Sequence, residues 1–368
     1  MLYHFLPQFA DVHIVFNLFQ YLTFRAAGAV VTSLLVAFLV GPPVIRWLTA
    51  LRVGQVVRST GPSTHLEKAG TPTMGGVIII AAATFSTLLW ASLTNWYTVL
   101  AIVSLLWMGG IGFLDDYLKV VHRHPQGLVA RYKMVGQIVF GVGLALLLLW
   151  KPISPHATTV TSVPFFSEWQ AAFWAPVFVA LVAIVVSGTS NTVNLTDGLD
   201  GLAAGLTAIV VMTFGILAYV TGRVDTSRYL GLFYLPGAGE LSIFAAALAG
   251  AAIGFLWYNA HPAEVFMGDT GSLALGGAIG VMAILLKAEF LLVIAGGVFV
   301  LEGVSVILQT SWFKYTARRY GEGRRIFRMA PIHHHFEKLG WPETKVVVRF
   351  WILGILFAML AFSTLKIR

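Results

Sequence analysis

The chain has only 16 Asp and Glu among 368 residues, so the places where they gather carry information. Asp115 and Asp116 are adjacent, in Gly112-Phe113-Leu114-Asp115-Asp116-Tyr117. Two neighbouring carboxylates repel each other and call for a cation, a shared proton or open water. Asp197 and Asp200 lie in Asn191-Thr192-Val193-Asn194-Leu195-Thr196-Asp197-Gly198-Leu199-Asp200-Gly201. Three apart, they would share one helix face. Asp269 stands in Phe266-Met267-Gly268-Asp269-Thr270-Gly271-Ser272, preceded by Asn259, His261 and Glu264. Gly268 and Gly271 let backbone approach a ligand closely, and a helix beginning there offers free N–H groups to an anion. Asp197 and Asp269 also read more plainly as helix N-caps, and Asp115-Asp116 as a solvated helix end. That plainer reading is weak at Asp115-Asp116, since a helix C-terminus favours Lys over a pair of Asp. At 191–201 it leaves Asn191 and Asn194 unexplained.

Basic and imidazole groups accompany the acids. Lys68 occurs in Lys68-Ala69-Gly70-Thr71-Pro72-Thr73-Met74-Gly75-Gly76, and Lys133 follows Arg131-Tyr132. A late segment holds basic residues from Lys314 to Arg328, then Pro331-Ile332-His333-His334-His335-Phe336-Glu337. Glu302 differs from all of these, because it lies inside an apolar stretch, Phe299-Val300-Leu301-Glu302-Gly303-Val304-Ser305. An ionisable group at membrane depth is a functional candidate by default, and the plainer alternative is a hydrogen bond that fixes a bend near Gly303.

No phosphate-binding P-loop, dinucleotide fingerprint, zinc-protease or serine-elbow pattern occurs. With no Cys, thiolate chemistry is excluded. Carboxylates without thiolates suit a hard, oxygen-seeking cation such as Mg²⁺ or Mn²⁺. Phosphoryl transfer needs a metal, cationic clamps and in-line positioning more than covalent chemistry. The residues therefore point to a metal-dependent phosphotransferase acting between a soluble phosphorylated donor and a lipid phosphate. A secondary transporter is the competing class, but its acids would sit mid-span on several helices in pseudo-symmetric halves. Here only Glu302 is clearly mid-span.

The elements that must position these residues are membrane spans. The chain is 58% hydrophobic and 11% charged, with a mean hydropathy of +0.82. Soluble domains run near 25% charged, so this is an all-α polytopic integral membrane protein rather than a soluble globule. Ten spans are expected, at about 22–48, 75–94, 97–114, 133–150, 174–190, 199–220, 241–258, 271–287, 290–313 and 347–365, all in one domain, 1–368. Gly41-Pro42-Pro43 should kink the first. Residues 1–20 lack the basic start of a signal peptide, and 151–173 reads as an exterior loop with a hairpin arm near Thr158–Thr161. Of the 24 Lys and Arg, 17 fall in loops after odd-numbered spans. Positive charge marks the cytoplasmic side, so both termini are expected to be periplasmic and the acidic clusters cytoplasmic. The net charge of +8 then faces anionic lipid, and nucleic acid is not an expected partner.

Taken together, 68–76, Asp115-Asp116, 194–201, 266–272 and 331–337 resemble the polyprenyl-phosphate N-acetylhexosamine-1-phosphate transferase superfamily. Within it the chain is most similar to the phospho-N-acetylmuramoyl-pentapeptide transferase family; the triple His favours that branch over the sister N-acetylglucosamine-1-phosphate transferases. The resemblance implies transfer of phospho-MurNAc-pentapeptide from UDP-MurNAc-pentapeptide to undecaprenyl phosphate, giving lipid I and UMP. It implies Mg²⁺, the bacterial inner membrane and a homodimer. It also implies roles: Asp269 as metal ligand, with Asp115 and Asp116 as the catalytic pair beside it. Lys68, Asp200, Asn259 and Phe266 correspond to the nucleotide pocket, and Asn191, Asp197 and Lys133 to further polar positions of the site. His333, His334 and His335 correspond to a loop that caps the diphosphate and sugar.

Overall fold

The computed structural model describes residues 1–51, 70–120, 127–166 and 169–365. Twelve helices matter here: α1 (Leu22–Ala50), α2 (Gly76–Trp90), α3 (Trp96–Val120), α4 (Ala130–Trp150), α5 (Ala175–Thr196), α6 (Leu202–Thr221), α7 (Glu240–Asn259), α8 (Gly268–Leu285), α9 (Glu289–Ala295), α10 (Gly297–Tyr320), α11 (Ile332–Lys338) and α12 (Glu343–Thr364). Two short strands, β1 (Val160–Ser162) and β2 (Gln170–Ala172), pair antiparallel between α4 and α5, where the hairpin arm was expected.

Among the described residues eight helices are long and apolar enough to cross a membrane, or nine if a bent pair counts as one span. The protein is thus a helical, multi-pass membrane protein, and two of the ten expected spans depart from expectation. The second is helix α2, only 15 residues long and ending at Trp90. A 15-residue helix rises about 22 Å, short of a hydrocarbon core of about 30 Å. The ninth breaks between α9 and α10 with an 86° bend at Gly296-Gly297. Residues 290–301 are apolar on both sides of Gly296-Gly297, so hydropathy alone conceals the break. Helix α1 continues through Pro42 and Pro43 to Ala50.

Helix α8 is the hub, packing on α3, α5 and α2. Every residue from Thr270 to Leu285 is buried. Apolar lipid gives helices no hydrophobic reason to associate, so small residues that permit close backbone contact decide the packing. Gly76 of α2 and Gly112 of α3 meet the backbone of α8 at Thr270-Gly271 and Asp269-Thr270, where a Cβ on either would collide with main chain. These two contacts clamp the first turn of α8, the turn that carries Asp269.

One end of the bundle gathers the ends of α3, α5 and α7 with the starts of α2, α4, α6 and α8. The opposite end is secured by buried charge. Arg25 at the start of α1 donates to both Glu240 oxygens at the start of α7, at 3.0 and 2.7 Å, and Glu240 also accepts from Ser92 N at 2.8 Å. In the turn after α8, Lys287 has φ +55°, a left-handed conformation unusual for a residue with a Cβ. Its ammonium donates to Ala157, Thr158 and Val160 carbonyls, which docks the hairpin arm on the turn after α8.

Arg25→Met should strand a buried Glu240 carboxylate and lower stability by about 3–5 kcal/mol. Thermal melts in detergent check this. The double variant Arg25→Met/Glu240→Gln, which removes both charges, should recover most of the loss.

Candidate active site

The site begins where α7 hands over to α8. Asn259, the last residue of α7, donates through Nδ2 to Val265 O (2.9 Å) and accepts through Oδ1 from Gly201 N (3.0 Å). It therefore ties the 259–268 loop to the 197–201 corner. Phe266 N donates to Pro72 O, and Gly75 N and Gly76 N donate to Phe266 O and Met267 O, at 2.8–2.9 Å. Gly268 then turns the chain with φ +71° into α8, and a Cβ there would strike the Asp116 carboxylate.

Asp116 caps α8 from another helix. Its oxygens accept from Asp269 N (3.2 Å), Thr270 N (2.8 Å) and Thr270 Oγ1 (2.7 Å). The first N–H groups of any helix lack partners and carry partial positive charge, so a carboxylate is stabilised there. Acids at the C-terminal end of α3, unfavourable in isolation, are thus offset by the N-terminus of α8.

Asp269, on that first turn, faces two lysines. Its Oδ2 lies 3.0 Å from Lys119 Nζ and 2.5 Å from Lys133 Nζ, and its Oδ1 accepts from Asn194 Nδ2 at 2.6 Å. Asp115 accepts from Leu128 N at 2.8 Å, pairs closely with Lys119, and lies 3.3 Å from Lys133. One carboxylate oxygen from each of Asp115, Asp116 and Asp269 can be chosen so that all three lie within 4.8 Å of one another. Such an all-oxygen set, carrying three formal negative charges against two ammonium groups, suits a hard divalent cation.

Beside this trio Asp197 ends α5. Burial, with Asp269, Asp116 and Asp200 adding their charges, pushes its carboxyl up to about 8. Asp200 belongs to a neighbouring group. Its Oδ2 lies 3.1 Å from His261 Nδ1 and accepts from Ala263 N at 3.2 Å, while its backbone N donates to Glu343 Oε1 at 2.8 Å. The first residue of α12 thereby holds the corner between α5 and α6.

The three histidines take three different jobs. His333 is wholly buried, with Nδ1 3.1 Å from the equally buried Glu302 carboxylate. His334 Nδ1 lies 2.6 Å from Glu337 Oε2, and His335 Nδ1 accepts from Arg328 N at 3.0 Å. A Cβ on Gly198 would collide with the His333 ring and crowd that of His334, so α11 packs directly on the residue after Asp197.

Several sequence-picked residues therefore converge: Asp115, Asp116, Asp269 and Lys133 form one cluster, and Asp197, Asp200 and His334 border it. Others serve the scaffold. Asn191 donates to Gln137 Oε1 and Ser187 O at 2.7 Å, inside the α4–α5 contact. Asn259 has both ends of its amide engaged by backbone. Phe266 is half-buried, and Glu302 stands behind His333 rather than at the trio. Lys68 lies outside the described residues. Sequence reasoning missed Lys119, Asn194 and Glu343. Lys119 was findable, because it stands four residues after Asp115 and so shares its helix face. Glu343 had no local signal, since its partners are 143 and 82 positions away.

Comparison with known proteins gives the family of the chain. A family model described as Glycosyl transferase family 4 matches residues 96–287, which hold both α3 and the start of α8. The phospho-N-acetylmuramoyl-pentapeptide-transferase signature 1 matches residues 68–80. A phospho-N-acetylmuramoyl-pentapeptide-transferase of Gemmatimonas aurantiaca is 58% identical over the full length of both chains. Proteins of the same name from Desulfatibacillum aliphaticivorans and Thermodesulfovibrio yellowstonii are 52% and 48% identical, again over the whole of each chain.

Asp197 gives a prediction with a definite sign. Its folded pKa is raised, so its ionisation weakens the fold as pH climbs from the ordinary Asp range through about 8. In metal-free protein, Asp197→Asn should raise the melting temperature at pH 8 and change it little at pH 4. Melting curves at the two values decide it.

Proposed function

Because the chain belongs to the phospho-N-acetylmuramoyl-pentapeptide-transferase family, we propose that it transfers phospho-MurNAc-pentapeptide from UDP-MurNAc-pentapeptide to undecaprenyl phosphate, releasing UMP and leaving lipid I in the membrane. The observation that carries the reading is the carboxylate trio with Lys119 and Lys133 at one end of a membrane bundle. A sugar-only donor would favour the sister transferases. A transporter would place its charged groups mid-membrane on several helices, whereas the trio sits at helix ends.

Asp269, with Asp115 and Asp116 beside it, would hold Mg²⁺. When bound, the ion would offset the charge of the two phosphates that must meet. The chain's own groups do the rest. Lys119 and Lys133 are cationic clamps for phosphate oxygens. Asp115 orients those lysines. The family resemblance assigns Lys68, Asp200 and Phe266 to the nucleotide, with the Phe266 ring stacking on uracil, and Asp197 to the polar wall; Asn259 and Asn191, also assigned there by the resemblance, act from behind by holding the 259–268 loop and the α4–α5 contact. His334 and His335 close the site over the diphosphate and sugar, while Glu302 and His333 fix the helix that carries them.

Direct attack is favoured over a phospho-enzyme. A lipid phosphate is largely a dianion at neutral pH, its second pKa being about 6. Its oxygen attacks the donor's β-phosphorus, the bond from that phosphorus to the UMP oxygen breaks, and the electron pair leaves with UMP. Asp116 is an unpromising nucleophile, since its oxygens cap α8, and Asp269 is held by two lysines and Asn194.

The finer topology is proposed with ten crossings, α2 and the α9–α10 pair included, both termini periplasmic and the site cytoplasmic, in the inner membrane of a bacterium as a homodimer. Support comes from the Lys/Arg asymmetry and from the helix ends that meet at the carboxylate trio. Reporter fusions after residues 123 and 325 should read cytoplasmic, and near 160 exterior; the reverse would place the site away from UDP-sugars.

Purified protein with Mg²⁺ and both substrates should release UMP, and uptake into proteoliposomes should not accompany it. Asp269→Asn should fold yet keep less than about a tenth of the rate, since the charge lost is worth a few kcal/mol. Retention of more than about a tenth of the rate at saturating Mg²⁺ would remove Asp269 from the site.

A further inference from the structure

Behind the histidine helix lies a groove of about 380 Å³ between α10, α11 and α12. Its walls are Val298, Leu301, Ile332, Phe336, Phe350 and Leu353. Leu301 and Leu353 are exposed, so the groove opens sideways onto the surroundings of the bundle. Ile332 and Phe336 are four apart and form one face of α11, whereas His333 and His334 face Gly198. The groove and the carboxylate trio are thus on opposite sides of one short helix.

One group breaks the apolar lining. Arg349 reaches the mouth with its guanidinium 4.1 Å from the centre of the Trp341 ring. It is exposed and makes no ion pair among the described residues. Lys345, one turn earlier on α12, is also exposed and stands 5.8 Å from the same ring. Trp favours the level of lipid headgroups, and arginine recognises phosphate with two parallel hydrogen bonds. An apolar slot open to the bilayer, with cations and a Trp at one end, matches an acyl chain joined to an anionic head.

We propose that this groove is a binding site for an anionic glycerophospholipid, one acyl chain lying between α10 and α12 and the phosphate on Arg349 and Lys345. The lipid is not a reactant, because α11 and the Glu302–His333 contact stand between it and Asp269. Its place against Ile332 and Phe336 makes it a support for the helix that carries the histidines. The site depends on the membrane setting alone and stands or falls apart from the transferase reading.

The test is native mass spectrometry of the full chain released from nanodiscs of phosphatidylglycerol and phosphatidylcholine with matched chains. Wild-type protein should retain phosphatidylglycerol preferentially. Arg349→Gln should cut that preference about fivefold, while Arg349→Lys keeps most of it. Leu353→Trp, which fills the groove and leaves the cations, should lose bound lipid of both kinds. Equal retention of the two lipids by wild type, or an unchanged preference in Arg349→Gln, would overturn the proposal. Displacement of phosphatidylglycerol by undecaprenyl phosphate, one for one, would also overturn it and assign the groove to the acceptor.

Discussion

Three carboxylates in one buried corner repel one another, and the rest of the structure is arranged around making that corner tolerable. Asp116 is answered by the free N–H groups of α8, Asp115 and Asp269 by Lys119 and Lys133. Each answer demands a backbone position. Capping α8 from α3 requires the two helices almost to touch, which Gly112 allows. Bringing α2 alongside requires Gly76. A larger residue at either place would force the first turn of α8 away from Asp116, and the corner would lose the dipole that offsets its charge. The close glycine packing and the acidic site are therefore one constraint seen from two sides.

The opposite end of the bundle follows a different logic. Arg25 with Glu240, and Lys287 with three carbonyls, are buried charges held by close partners of opposite sign or by carbonyl oxygens. They lock helix ends together and offer little to a ligand. At the trio the charges are mutually incomplete, since three acids share two lysines. That imbalance separates a site from a staple, and it explains why buried charge alone would have been a poor guide to function.

The sequence made the helical, membrane-embedded fold legible because lipid demands long apolar helices, and composition records that demand directly. It made Asp115, Asp116 and Asp269 legible because acids are scarce in such a chain. The 86° break at Gly296-Gly297 stayed hidden, since the residues flanking it on both sides are apolar and the bend depends on what packs around them. The division of labour among His333, His334 and His335 was also hidden. Adjacent residues on a short helix point in different directions, and only the positions of Glu302, Glu337 and Arg328 decide what each ring meets. Glu302 stood out in the sequence as an acid within an apolar stretch, but its partner was 31 positions away and could not be named from spacing.

The central claim is that the trio is a divalent-cation site built on Asp269. Its most direct test is a titration of Mn²⁺ into purified, metal-free protein followed by electron paramagnetic resonance, without substrates or turnover. Wild type should bind one ion per chain saturably, and Asp269→Asn should weaken that binding by about tenfold or more. Saturable binding of the same strength in Asp269→Asn, or none in the wild type, would contradict it.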